Sequence, residues 1–246
     1  MTGWLGLLLA LGCIALAQQW HGGSLWNLVD GPAFLIVVGG TLGAVILQTP
    51  ALYLKRALQQ FGWLFIPPAL DLESQASRLE AWAQRGRQHG LLALEEQSDQ
   101  EREPFTKAGL GMLVDGVELE RMRDLLEAEI MVEQERNEHS ARVFESMGGY
   151  SPTIGIIGAV LGLIQAMVKL EQPAELGAGI AVAFVATIYG VGLANLFYLP
   201  VANRLRAFHY HQQLFQEMTL EGLLGIAHGE SAPQLRRRLQ IYLKGE

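Results

Sequence analysis

The residues able to do chemistry in this 246-residue chain are few, and their spacing rules out most reactions. His209 and His211 flank Tyr210, but side chains two apart face different sides of a helix and no third ligand converges on them. No metal site is predicted. The single cysteine, Cys13, excludes an intramolecular disulfide and reads as a small hydrophobe in an apolar stretch. The sequence has no P-loop, no Rossmann glycine fingerprint, no GxSxG and no HExxH, so no enzyme activity and no cofactor is predicted. A net charge of -7 argues against a nucleic-acid partner, which needs a basic footprint. What remains is a handful of polar side chains inside long apolar runs: Gln165, Thr187, Tyr189 and Asn195. They can line a wet path, but none carries a proton as a carboxylate does. Asp30 and Glu171 stand only at the ends of such runs. Ion-conducting proteins usually place ionisable groups at membrane depth. If ions cross here, another chain supplies the carrier.

The elements that position these residues are set by four long gaps in the charge pattern. Met1–Val29, Gly31–Leu54, Ser146–Val168 and Leu176–Asn203 contain no Asp, Glu, Lys or Arg. A membrane helix needs about 20 mostly apolar residues, and each gap is long enough. The sequence therefore predicts an all-α polytopic membrane protein with four transmembrane helices and a helical cytoplasmic domain. The expected spans are about 2–20, 32–54, 147–168 and 176–199. The first could instead be a cleaved signal peptide, although it lacks a basic n-region. The second, which must borrow residues beyond Leu47 to span, could be a buried helix of a soluble core. Of 18 basic residues, 11 lie in Lys55–Glu145 and six follow Asn203. The positive-inside rule then places both regions and both termini in the cytoplasm, with the two short turns outside. The expected organisation is a first hairpin (1–54), a cytoplasmic domain (55–145), a second hairpin (146–203) and cytoplasmic C-terminal helices (204–246).

The region between the hairpins reads as helical throughout. Leu72–Arg85 repeats apolar residues on one face behind an Asp71 N-cap, with Gly86 and Gly90 as breaks. Leu91–Glu95 and Pro104–Leu113 follow, and Asp115–Gly116 marks a turn. Val117–Phe144 is a long acidic helix aimed at span three. Val201–Ala227 continues span four, and Ala232–Leu243 is a terminal helix. Arg236, Arg237 and Arg238 offer either a contact for anionic membrane lipid or a solvated helical face.

Small residues recur at packing spacing inside the spans. Gly155, Gly158 and Gly162 mark one face of span three; Ala186, Gly190 and Ala194 mark one of span four; Gly39 and Gly43 mark one of span two. Such stripes let helix backbones approach closely. Pro152 reads equally well as a kink within span three or as the first-turn proline of a helix that begins after Ser151. Pro200 stands at the inner end of span four.

Taken together, the string Gly149-Tyr150-Ser151-Pro152-Thr153-Ile154-Gly155-Ile156-Ile157-Gly158-Ala159-Val160-Leu161-Gly162 resembles the MotA family of flagellar stator proteins, MotC-type paralogues included. The likeness extends to Gly177–Gly190, to Leu199-Pro200-Val201-Ala202, to Arg87–Glu95, to Pro104-Phe105 with Val114-Asp115-Gly116, and to Gly39-Gly40-Thr41-Leu42. ExbB and TolQ are more distantly similar and usually have three spans, so the first hairpin favours MotA. A proton-channel energiser of an outer-membrane transport or integrity system is the alternative reading.

The resemblance implies an inner-membrane ring, a pentamer in the family, around two helices of a MotB-type dimer that carries the ion-binding aspartate. It implies a flagellar rotor switch protein as the cytoplasmic partner, contacted by Arg87 and Glu95. It aligns Pro152 and Pro200 with prolines that couple ion binding to movement, which favours the hinge reading of Pro152. It also aligns Thr187 with a pore threonine and places Ala159, Ala186 and Tyr189 along the ion path. Sodium-type relatives carry further threonines where Ala159 and Ala186 stand here. With those hydroxyls missing, the expected ion is H+.

Overall fold

Prolines and glycines set most of the helix boundaries. The computed structural model describes residues 2–20, 22–169 and 173–244, and all regular structure among them is helical. Helix α1 spans Thr2–Trp20. Helix α2 (Gly31–Phe34) passes through a π-helical turn at Leu35–Gly39 into α3 (Gly40–Gln48). The second span was expected to run on to Leu54, but the helix stops at Gln48. Thr49 precedes Pro50, and the proline ring forces it into extended backbone at φ −109°. A new helix, α4, then covers Ala51–Phe61.

Helix α5 covers Leu72–His89, with the Asp71 carboxylate accepting from the Glu73 and Ser74 amides at 3.0 and 3.2 Å. Gly86 does not break it, because glycine inside a helix costs only about 1 kcal/mol and its bare face receives Leu91 and Ile226. The break comes at Gly90 alone, at φ +82° and ψ 163°, a conformation open in practice only to glycine. Helices α6 (Glu95–Gln100), α7 (Pro104–Val114), α8 (Leu119–Val168), α9 (Pro173–Leu193), α10 (Leu199–Ala227) and α11 (Ala232–Leu243) complete the chain. Pro152 lies inside the 50-residue α8 and starts no helix.

The chain divides into two compact units, Met1–Leu64 with His139–Leu205, and Phe65–Glu138 with Arg206–Glu246. The second unit has an aqueous-type core of Leu79, Leu94, Phe105, Leu126, Leu223 and Leu235, all essentially inaccessible. A deeply buried polar knot there is satisfied in part by Gln75, whose amide donates to the Thr106 and Thr219 hydroxyls. Arg236 clamps α11 to α5 through Glu73 and Glu80.

The first unit is turned inside out by comparison. Leu8, Leu9 and Leu16 of α1, Ile156, Ile164 and Val168 of α8, and Phe184 of α9 are all exposed. A soluble surface does not tolerate a band of this kind, whereas hydrocarbon does. Among the described residues, three helical stretches are long and apolar enough to cross a membrane, Leu25–Gln48, Leu119–Val168 and Leu176–Ala227; Leu5–Trp20 is a shorter apolar helix.

Candidate functional site

The centre of the membrane unit is a seam between α8 and α9 in which backbone meets backbone. A Cβ on Gly155 would lie 2.9 Å from the Ala186 carbonyl and 3.1 Å from Gly190 Cα. One on Gly162 would meet the Ala183 amide at 2.9 Å, and one on Gly158 the Ala186 methyl at 2.9 Å. Gly190 is tightest of all, with the Ser151 carbonyl at 2.7 Å and Pro152 Cα at 3.2 Å. Four of the small residues read from sequence therefore pack helix on helix within one chain. Gly39 and Gly43 do not. Both are exposed, and a Cβ on Gly43 would meet nothing within 4 Å. Their neighbour Gly40 faces inward instead, where a Cβ would strike Ile154 at 2.7 Å.

The polar residues expected along an ion path are distributed unevenly over this framework. Ala159 is half-buried on α8. Ala186 is wholly enclosed among Ala33, Val37 and Val185, so its methyl packs spans together. The half-buried Thr187 turns its hydroxyl back to donate to the Ala183 carbonyl at 3.2 Å. The Tyr189 hydroxyl is fully used in a loop anchor, donating to the Leu28 carbonyl at 2.6 Å and accepting from the Asp30 amide at 3.1 Å. Phe34 meets its ring edge-on at 6.1 Å. The Asp30 carboxylate, expected at the outer mouth, caps α2 by accepting from the Ala33 amide at 2.7 Å. Glu171 lies outside the described residues.

Two buried hydroxyls escaped the sequence reading. Thr41 Oγ1 and Ser151 Oγ are shut away in the membrane unit without a hydrogen-bond partner among the described residues. Ser151 directly precedes Pro152, whose missing amide also leaves the Gly148 carbonyl without its helical donor. Pro200 is exposed in the first turn of α10, immediately after a second π-helical turn at Ala194–Tyr198. Each proline thus stands beside a local irregularity of its helix, a setting in which helices bend. The signal for Thr41 and Ser151 was present in the glycine-rich strings around them, but sequence spacing does not reveal which hydroxyl is buried.

In the second unit, Arg87 occupies the last turn of α5 and Glu95 begins α6, on either side of the Gly90 turn. Both are exposed, and neither has a hydrogen bond or ion pair among the described residues. Their neighbours Arg85 and Glu96 do pair, at 3.4 Å. Leu94, fully buried, pins the connecting turn to the core. The His209–His211 segment sits with no metal-holding cluster of His, Cys, Asp or Glu among the described residues.

Residues 97–218 match the model of the MotA/TolQ/ExbB proton channel family. Motility protein A of Bacillus subtilis is 33% identical over 98% of this chain and 90% of its own length. This chain belongs to the MotA/TolQ/ExbB proton channel family. Two solved structures share the architecture. The structure of C. jejuni MotAB superposes with a TM-score of 0.94 at 29% identity, covering 98% of this chain and 94% of that one. The flagellar MotAB stator complex from Bacillus subtilis gives 0.90 at 32% identity, covering 98% and 96%. In this MotA/TolQ/ExbB chain the matched segment takes in all of α8 and α9, the helices that build the glycine seam, and much of α10.

Proposed function

We propose that the chain is the MotA-type stator subunit of a bacterial flagellar motor, coupling ion flow through a complex with a MotB-type partner to torque on the rotor. The observation that carries this reading is the full-length likeness to MotAB stator structures, which takes in the first hairpin and the cytoplasmic unit as well as the α8–α9 core. A likeness confined to that core would have suited the ExbB/TolQ-like energiser equally well.

In this reading the protein is a multi-pass inner-membrane protein with four spans and cytoplasmic termini. Helix α1 is its first span, since 19 helical residues cover about 28 Å. A homopentamer surrounds a MotB-type dimer, which contributes the aspartate that the apolar spans lack. The tight α8–α9 seam makes the second hairpin a rigid lever. Pro152 and Pro200 allow that lever to bend as the carboxylate is charged and discharged. Proton is the coupling ion, because Ala159 and Ala186 bring no hydroxyl oxygen and leave Thr187 alone among these three positions to offer one. A partly dehydrated sodium ion needs several oxygen ligands. Arg87 and Glu95 present opposite charges to the rotor switch protein, where complementary charge steers contact.

Expression of the chain with its partner in a strain lacking all stators should restore swimming. The paired reversal Arg87→Glu with Glu95→Lys should abolish swimming while leaving membrane levels of the protein unchanged. Normal swimming of the double variant would refute the rotor contact, and no swimming with the wild-type pair would refute the stator reading.

A further inference from the structure

The first unit contains a cleft of mixed polar and apolar lining, Pro50 and Val143 included, at the level where two membrane helices emerge from the hydrocarbon. Its volume is about 340 Å³, and it is lined by Gln48, Thr49 and Tyr53 on one side and His139, Arg142 and Ser146 on the other. Gln48 is the last residue of α3, and Ser146 opens the uncharged run of α8. Both walls therefore change from apolar to polar at one depth. The Tyr150 hydroxyl donates to Gln48 Oε1 at 2.7 Å and ties the two helices together there. Tyr53 stacks on His139 with ring centroids 4.4 Å apart and planes 22° apart, which fixes the imidazole against the cleft wall. Arg142 stands one helical turn further along α8.

Arg142 is the charged residue of the cleft lining, and Glu138 lies one helical turn before it on α8. Lys55 and Arg56 follow on α4, and Glu145 is the acidic residue nearest in sequence to Arg142. The apolar surroundings are equally distinctive. Leu47 is 90% exposed, Leu52 69% and Ile46 61%, so the chain on either side of the Thr49–Pro50 break offers unshielded hydrocarbon beside a cationic recess. Free phosphate has no use for that hydrocarbon, whereas an acyl chain does.

We propose that this cleft holds the headgroup phosphate of an anionic phospholipid of the cytoplasmic leaflet, with Arg142 and His139 facing the phosphate and an acyl chain lying along Ile46, Leu47 and Leu52. The site uses none of the residues assigned to ion conduction or rotor contact, and borrows from the stator reading only its membrane orientation. The lining suits a glycerophosphate: Thr49, Ser146 and Gln48 offer hydroxyl and amide groups beside the Arg142 guanidinium, and basic residues at a membrane surface attract anionic lipid.

The test is lipid retention by the full-length chain, purified with its MotB-type partner from mixed phosphatidylglycerol and phosphatidylcholine bilayers and read by native mass spectrometry. Wild type should keep phosphatidylglycerol over phosphatidylcholine by about five-fold. Arg142→Gln with His139→Gln should bring the two lipids to parity, Arg142→Lys should preserve the preference, and Arg237→Gln on the exposed face of α11 should leave it unchanged. Equal retention of both lipids by wild type would overturn the proposal, which keeps it testable even if the double variant fails to assemble. So would an undiminished preference in the double variant. Displacement of the retained lipid by inorganic phosphate would also overturn it, by making the ligand a soluble anion. Retention is read without swimming or ion flux, so its failure leaves the stator reading standing.

Discussion

Gly190 has no room for a methyl group. Its Cβ would sit 2.7 Å from the Ser151 carbonyl and 3.0 Å from Gly155 Cα, and backbone cannot step aside as a flexible side chain can. Gly190→Ala should therefore lower the thermal midpoint of the purified complex, with overpacking costing about 1–3 kcal/mol. Gly43→Ala meets open space and should leave the fold of a single chain unchanged. The two substitutions look alike in sequence, since both belong to small-xxx-small stripes. A four-residue spacing shows that one helix face is smooth but not what lies against it, which is why Gly155, Gly158, Gly162 and Gly190 were legible as packing residues while Gly40 was not. A second residue-scale prediction concerns Glu129, whose carboxyl is held above the ordinary range by partial desolvation first, then by the Glu103 and Glu133 carboxylates. A raised acid destabilises the folded state above that raised value and has no effect below the unfolded one. Glu129→Gln should raise stability slightly at neutral pH, and the gain should vanish as pH falls to ~4. Thermal unfolding at both pH values checks this, and a gain that persists in acid would contradict it.

At the scale of elements, most helices were readable because caps and prolines are local signals. Asp71 caps α5 as expected, Pro104 opens α7, and α11 runs over Ala232–Leu243. The differences arise where packing overrules a local signal. Gly86 is carried through α5 because Leu91 and Ile226 use its bare face. Gly90 is not, since its backbone adopts an angle pair that a Cβ forbids, and this turn sets α6 and Glu95 relative to α5 and Arg87. Gly90→Ala should cost about 1–3 kcal/mol locally and impair swimming while membrane insertion, measured by fractionation, stays normal. Pro152→Ala would give the Gly148 carbonyl a helical donor again and stiffen α8 at that turn. The expected outcome is a complex that assembles at wild-type levels but swims slowly, and wild-type swimming speed would remove Pro152 from the coupling mechanism.

For the whole molecule, the gaps in the charge pattern carried the architecture, because hydrocarbon excludes ionised side chains wherever they would fall. The boundary between the two units was less legible. Charge begins again at Lys55, yet α4 belongs with the membrane unit, because Ala57 and Gln60 are buried there and Gln60 accepts from the Ser140 hydroxyl. Burial of that kind depends on a residue 80 positions away. On the stator function proposed above, this chain conducts protons only in company with a carboxylate from its partner. Proton influx into proteoliposomes, driven by a membrane potential and read with a pH-sensitive dye, tests it most directly. The co-reconstituted pair should acidify the lumen with sodium absent, and either the chain alone or a pair whose partner aspartate is changed to asparagine should be silent. Flux through the chain alone, or flux that needs sodium, would contradict the account.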